Sequence, residues 1–263
     1  MIRRPVVRGR IAGFVAALFL TGARLARGQD FATPAPLPAS GDLLERALPA
    51  AERDVALTAL DVVRAAGLST RSLAAGGGLG VVRGALGVAR TGDAALGWST
   101  GAGALGFATP SGGAALRGLV RSDDGASPGE TTLGIEIGGG GWIALGAARV
   151  WASAPQAWLA GELPPLARGV TTGVDWIGRT GFAALAREAP RRGFAESAAY
   201  TARLGLAFGS LGLWTEVRED PWRGGVGVAA DAGPFRCAVQ VDAHPVLDPV
   251  TRIAITVRSP RRP

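Results

Sequence analysis

From about Leu79 to Val257 the chain runs in short segments whose apolar residues recur at every second position, broken every few residues by glycine. Thr132-Leu133-Gly134-Ile135-Glu136-Ile137 sets Leu133, Ile135 and Ile137 on one side and Thr132, Gly134 and Glu136 on the other. The segments from Phe235 to Asp242 and from Arg252 to Arg258 repeat the pattern. Successive side chains of a strand point to opposite faces, so a period of two builds sheet with one apolar and one polar face. No segment is apolar for the roughly 18 residues that mark a membrane-spanning helix. The chain must therefore be read as strands.

About a dozen strands are predicted: 79–90, 94–108, 113–121, 131–138, 141–151, 169–178, 180–187, 199–208, 210–218, 224–231, 235–243 and 250–258. Their lengths match the ~9–11 residues of a tilted transmembrane strand. Thr91-Gly92-Asp93 and Ala232-Gly233-Pro234 read as tight turns, and Thr109-Pro110-Ser111-Gly112 and 122–130 as longer ones. The stretches 152–168 and 188–197 read as long loops. Gly76-Gly77-Gly78 and Gly138-Gly139-Gly140-Gly141 lack the strand–GxGxxG–helix setting of a nucleotide site, so turns or flexible segments are expected there. Glycine is 41 of 263 residues, which weakens sandwich strands but lets barrel strands bend. Trp98, Trp142, Trp151, Trp176, Trp214 and Trp222 fall in strands or at their ends, where an aromatic girdle would meet a membrane interface. The single tyrosine, Tyr200, fits a girdle poorly.

The N-terminal region is different. Arg3, Arg4, Arg8 and Arg10 precede a mostly apolar stretch from Ile11 to Gly22, and Ala26-Arg27-Gly28 offers a small-x-small cleavage site. Residues 1–28 thus read as an export signal. A Pro/Ala linker spans 30–40, and Asp42 to Gly67 shows helical spacing in Leu43, Leu44, Ala47 and Leu48, then Val55, Leu57, Leu60 and Val63. Asp42 with Glu45 would cap this region, Pro49 would interrupt it and Gly67 would end it. The expected division is signal 1–28, linker and short helical leader 29–70, β-barrel 71–258 and tail 259–263.

Charge excludes several functions. The chain carries +7, but six of its arginines lie in residues 1–28, leaving about +1 and no nucleic-acid footprint. All 28 basic residues are arginine, which rules out lysine Schiff-base and P-loop lysine chemistry. A single cysteine, Cys237, excludes an internal disulfide. His244 is the only histidine, so a His-dependent hydrolase would have to use it, with Asp242 or Asp248 beside it. Its place before Pro245 suits a structural turn better. Asp123-Asp124 and Glu219-Asp220 are the paired acids, expected in loops, and make no metal cluster. No catalysis and no cofactor are expected.

An export signal followed by alternating strands reads as an all-β, antiparallel up-and-down transmembrane barrel of about 10–12 strands, apolar outside and polar toward a lumen. Glu136, Arg149, Asp175, Arg203, Glu216, Arg236, Asp242 and Arg252 are the candidate lumen-facing residues. Pairs such as Glu216 or Asp242 with Arg236 or Arg252 would close a narrow lumen. The alternative is a soluble periplasmic or secreted β-sandwich or barrel binding a ligand or protein, with the faces inverted. Outer-membrane lipid, barrel-assembly and periplasmic chaperone machinery, and other envelope proteins are the expected partners, and nucleic acid is not.

The C-terminal quarter carries a resemblance. Leu204-Gly205-Leu206 runs on to Leu211-Gly212-Leu213-Trp214, and a Gly224-Gly225-Val226-Gly227-Val228 strand precedes Asp242-Ala243-His244-Pro245 and the last strand. This ending resembles the PorV/PorQ-like outer-membrane proteins, relatives of the FadL-like transport barrels. Two features depart from that pattern: a terminal aromatic is missing, and the chain is short for such a barrel. The resemblance implies transport of hydrophobic compounds or shuttling of secreted cargo at the outer membrane; the expected role of the chain is passage or binding of a small compound, hydrophobic or not, or scaffolding of an envelope assembly. It carries over no binding residue.

Overall fold

Fourteen antiparallel strands hold nearly all the residues described in the computed structural model, which are 56–65, 68–92, 97–124, 131–161, 168–178, 180–191, 197–219, 223–243 and 249–258. In chain order they are β1 (Ala56–Ala65), β2 (Leu68–Leu79), β3 (Val82–Gly92), β4 (Gly97–Ala108), β5 (Gly112–Asp124), β6 (Thr131–Leu145) and β7 (Ala148–Gly161). The second half comprises β8 (Arg168–Ile177), β9 (Gly181–Pro190), β10 (Ala199–Phe208), β11 (Leu211–Glu219), β12 (Arg223–Ala232), β13 (Phe235–Ala243) and β14 (Val250–Arg258). Each strand pairs with its neighbours in sequence, and β1 pairs with both β2 and β14, closing the sheet.

Closure explains why the region 56–63 is not the helix its spacing suggests. Leu60 lies between Leu73 of β2 and Ile255 of β14, and Val62 between Arg71 and Ile253. A short apolar run with β-branched residues fits either period. The unpaired edges of β2 and β14 decide the matter, because only a strand can satisfy both rows of backbone N–H and C=O groups. Among the described residues the first barrel strand therefore starts at Ala56, ahead of the boundary expected at 71, and β1 and β2 raise the strand number above the dozen expected. The helical spacing at 42–55, the linker and the export signal lie outside the described residues.

Glycine sets the turns at one end of the barrel. Gly80-Val81, Gly146-Ala147, Gly209-Ser210 and Gly233-Pro234 are two-residue turns whose glycines have φ of 61°, 65°, 61° and 60°. Positive φ at the first central position is the Gly-X arrangement of a type II′ turn, whose twist matches that of paired strands. Pro234, held at negative φ by its ring, excludes the type I′ alternative there. The same end carries 109–111, where the Thr109 backbone N–H donates to the Gly112 carbonyl at 2.8 Å. The opposite end carries the connections 66–67, 93–96, 125–130, 162–167, 191–198, 220–222 and 244–249, two to eight residues long and mostly outside the described residues. Because the strand number is even, the chain enters β1 and leaves β14 at the short-turn end.

The Gly138–Gly141 run is not a turn. It lies inside β6, opposite Arg117 to Ala114 of β5, and the turn comes at Gly146-Ala147. Bare backbone is needed there: a Cβ on Gly140 would come within 2.8 Å of the Ala152 carbonyl oxygen on β7, and one on Gly139 within 3.0 Å of the Leu116 side chain on β5. A register shift between Ile137 and Gly139 bulges the β6–β7 pair and carries β7 on to Gly161, through much of the stretch expected as a loop. Asp123, Asp124 and Glu219 likewise close β5 and β11 instead of sitting in loops.

The faces are sharply divided. Leu86 is 70% exposed, Leu116 69%, Leu105 66%, Val226 64% and Ile143 63%, all on the outer side of the sheet. Arg83, Arg117, Glu136, Arg236 and Gln240 are buried on the inner side.

Candidate functional site

Cross-strand partners share a face, so the register assigns the inner wall residue by residue. One continuous row of direct partners runs Arg149 (β7), Asp175 (β8), Ala184 (β9), Arg203 (β10), Glu216 (β11), Gly225 (β12) and Asp242 (β13). Five of the eight candidate lumen residues stand in it, and their charges largely alternate. Arg149 donates to Asp175 Oδ2 from Nη2 at 2.6 Å and from Nε at 3.1 Å. Arg203 is paired with Glu216 through Nε and Oε2. Asp242 accepts from Gln240 Nε2 at 2.8 Å.

The next row toward the short turns runs Phe182, Gly205, Trp214, Gly227, Gln240 and Arg252. Trp214 donates from Nε1 to Gln240 Oε1 at 3.1 Å, which links this row to Asp242 in the row above. On the other side, Trp151 Nε1 donates to Asp175 Oδ1 at 2.9 Å. Asp175 thus holds a guanidinium and an indole at once. Arg218 Nη2 meets Glu188 Oε2 at 2.9 Å across the barrel wall from β11 to β9.

Aromatic side chains on this wall lie over glycines. Trp151 is the direct partner of Gly173, Phe182 of Gly205, Trp214 of Gly227, and Trp142 of Gly113. A Cβ on Gly205 would come within 2.0 Å of the Phe182 ring, one on Gly227 within 2.1 Å of the Trp214 indole, and one on Gly173 within 2.5 Å of Trp151. Glycine leaves the space into which each ring folds flat, and the ring covers backbone that glycine leaves bare. The Arg149 guanidinium stands 5.6 Å from the centre of the Trp142 ring, within cation–π reach. Trp142, Trp151 and Trp214 therefore belong to the inner wall, not to an interfacial girdle. Trp222 lies outside the described residues.

The remaining candidates sit elsewhere on the same wall. Glu136, 3% exposed, is the direct partner of Leu119 on β5 and Leu159 on β7. Arg236, also 3% exposed, approaches Asp231 at 3.7 Å. Arg252 partners Gln240. The expected pairs of Glu216 or Asp242 with Arg236 do not form. Arg236 and Asp242 are six residues apart on β13, about 20 Å at ~3.4 Å per residue, so Glu216 meets Arg203, which is its direct partner.

Sequence reasoning missed Arg83, Arg117, Glu188 and the three inner tryptophans. For Arg117 the signal was present: Leu116, Gly118 and Val120 alternate with Arg117, Leu119 and Arg121. Glu188 was hidden because its segment was read as a loop. Trp151 and Trp214 carry no local sign of direction beyond the glycine that each faces on the next strand. Cys237 is exposed on the outer side. Among the described residues no group of three His, Cys, Asp or Glu side chains could hold a metal ion. His244 and Asp248 lie outside the described residues.

No protein-family model matches the chain, and no curated protein matches it. Solved structures similar to it include a porin of Rhodopseudomonas blastica, as the E1M, A104W mutant, at TM-score 0.44 and 9% identity, covering 78% of this chain and 99% of that one. The KdgM porin is similar at TM-score 0.43 and 8% identity with the same coverage, and its complex with disordered oligogalacturonate at 7% identity. The PorV/PorQ-like resemblance gains no support from these comparisons.

Proposed function

We propose that this chain is a transmembrane β-barrel of outer-membrane type, non-catalytic, whose inner wall admits or holds small polar solutes. One observation carries the reading: the apolar residues of the alternating strands are the exposed ones, and the charged residues are the enclosed ones. In water this arrangement would leave some thirty large apolar side chains unburied, far beyond the few-hundred-Å² patches of soluble monomers. In a bilayer it is the arrangement required, because lipid replaces the core that a soluble protein would need. It opposes the soluble β-sandwich, whose faces would be inverted. Turns of two or three residues at one end and mostly longer connections, up to eight residues, at the other match the asymmetry of such barrels, with the short turns on the periplasmic side.

The inner wall argues for polar solutes rather than a hydrophobic compound. Arg117 is 2% exposed, so the interior is crowded by long side chains as well as charged. A solute would pass by exchanging its water for the side chains of the Arg149–Asp175–Arg203–Glu216–Asp242 row. A scaffolding role has no comparable observation behind it.

The test is to express the protein in a bacterial host, isolate the outer membrane, and compare gel migration of unheated and boiled samples. Heat-modifiable migration in the outer-membrane fraction, with small ohmic conductance in planar bilayers, is the expected result. Recovery as a soluble protein with no mobility shift would sink the reading.

A further inference from the structure

Among the described residues Glu136 of β6 is the one buried acid, 3% exposed on the inner wall. No hydrogen bond or ion pair from another described residue reaches its carboxylate. Every other inner acid whose side chain is described is held. Asp175 is held by Arg149 and Trp151, Glu188 by Arg218, Glu216 by Arg203, Asp231 by Arg236 and Asp242 by Gln240. The surroundings of Glu136 supply no donor. Its direct partners are Leu119 on β5 and Leu159 on β7, and its neighbours along the same face of β6 are Gly134 and Gly138. Arg121 and Arg117 stand opposite those two glycines, diagonal to Glu136, and each has a partner of its own. On β7 the carboxamide oxygen of the buried Gln156 accepts from Arg191. An enclosed carboxylate left without a donor is costly, and a charged donor relieves that cost most fully.

We infer that Glu136 anchors a binding site for the ammonium group of a small aliphatic amine in the lumen. An ammonium brings three N–H donors together with the opposite charge. Leu119 and Leu159, one on each side, give its alkyl body apolar contact. Gly134 and Gly138 place no side chain beside the carboxylate along β6. A metal ion is the poorer match, because it takes several oxygen ligands and among the described residues no three His, Cys, Asp or Glu side chains stand together. The site is separate from the Arg149–Asp175–Arg203–Glu216–Asp242 row, which begins on β7. It rests on the reading that the inner wall of a transmembrane barrel holds small solutes, and it gives one such solute a chemical class.

The experiment uses the full chain refolded into neutral detergent, with heat-modifiable migration as the check on barrel formation. Urea midpoints are then measured in rising n-butylammonium chloride, with potassium chloride and n-butanol at matched concentrations. A ligand that binds only the folded state raises the midpoint as its concentration rises. Butylammonium is expected to raise the wild-type midpoint more than potassium or butanol does. E136Q, nearly isosteric but uncharged, is expected to weaken the amine roughly tenfold or more. Without amine it should be no less stable than the wild type, since it removes a charge that nothing pairs. E136D keeps the charge on a shorter arm and should show a smaller loss, which gives the same reading if E136Q does not fold. E219Q removes an exposed carboxylate at the end of β11 and should leave the response unchanged. Equal responses of the wild type and E136Q, or none in the wild type, would overturn the site and leave the barrel standing. An equal response to potassium would overturn it in favour of a site for any cation. A chain that forms no heat-modifiable barrel in any detergent or bilayer would remove the transmembrane reading, and the site with it.

Discussion

Glycine does two opposite jobs here, and single substitutions separate them. At Gly227 the missing side chain is the space occupied by the Trp214 indole, while at Gly118 nothing lies within 4 Å of where a Cβ would be. Gly227→Val is expected to destabilise the barrel by about 1–3 kcal/mol through overpacking, and Gly118→Ala to be close to neutral. Urea midpoints of the refolded protein check both, and equal effects would refute the ring-over-glycine account. Charge at the inner wall is open to the same kind of test. Glu216→Gln would leave the Arg203 guanidinium without its carboxylate and make the lumen more positive by one charge. If the proposed passage of solutes holds, the reversal potential under a salt gradient should then move toward anion preference.

Strands and turns divide the work of setting register. Each two-residue turn fixes which residues face one another, and a slip of one residue would move every inner charge to the outer face. Gly146→Val puts a branched side chain at φ 65°, a strain of about 1–2 kcal/mol. Slower refolding and a lower denaturation midpoint are expected, with unchanged conductance in the molecules that do fold. A change in conductance would mean that the turn sets the β6–β7 register more strongly than the Gly138–Gly141 packing does. At this scale the sequence was legible wherever alternation was clean, as in β13, whose bounds match expectation. It was illegible in β1, where Leu57, Leu60 and Val63 fit a helix as well as a strand, and in β7, where a bulge interrupts the period of two.

For the whole molecule the decisive question is which solvent surrounds the outer wall. Leu86 is 70% exposed, and in water its replacement by arginine would change stability by no more than about 0.5 kcal/mol. In a bilayer the same replacement near mid-thickness should cost about 2–4 kcal/mol. Refolding of Leu86→Arg into lipid vesicles, followed by denaturant titration, distinguishes the two. A neutral result would return the chain to the soluble class. The closed ring also makes the barrel a single cooperative unit, so removal of β1 would expose the edges of β2 and β14 together.

The alternation of apolar and polar residues determined by itself that the chain folds as antiparallel sheet, and which residues of each clear strand share a face. Only the tertiary structure decided that the sheet closes through β1 and that Trp142, Trp151 and Trp214 turn inward. It also decided which charges meet: Arg203 reaches Glu216 because they are direct partners, while Arg236 stands far from Asp242 along one strand. The physical reason is that side-chain direction along a strand is local, whereas the identity of the residue opposite depends on turns, bulges and closure elsewhere in the chain.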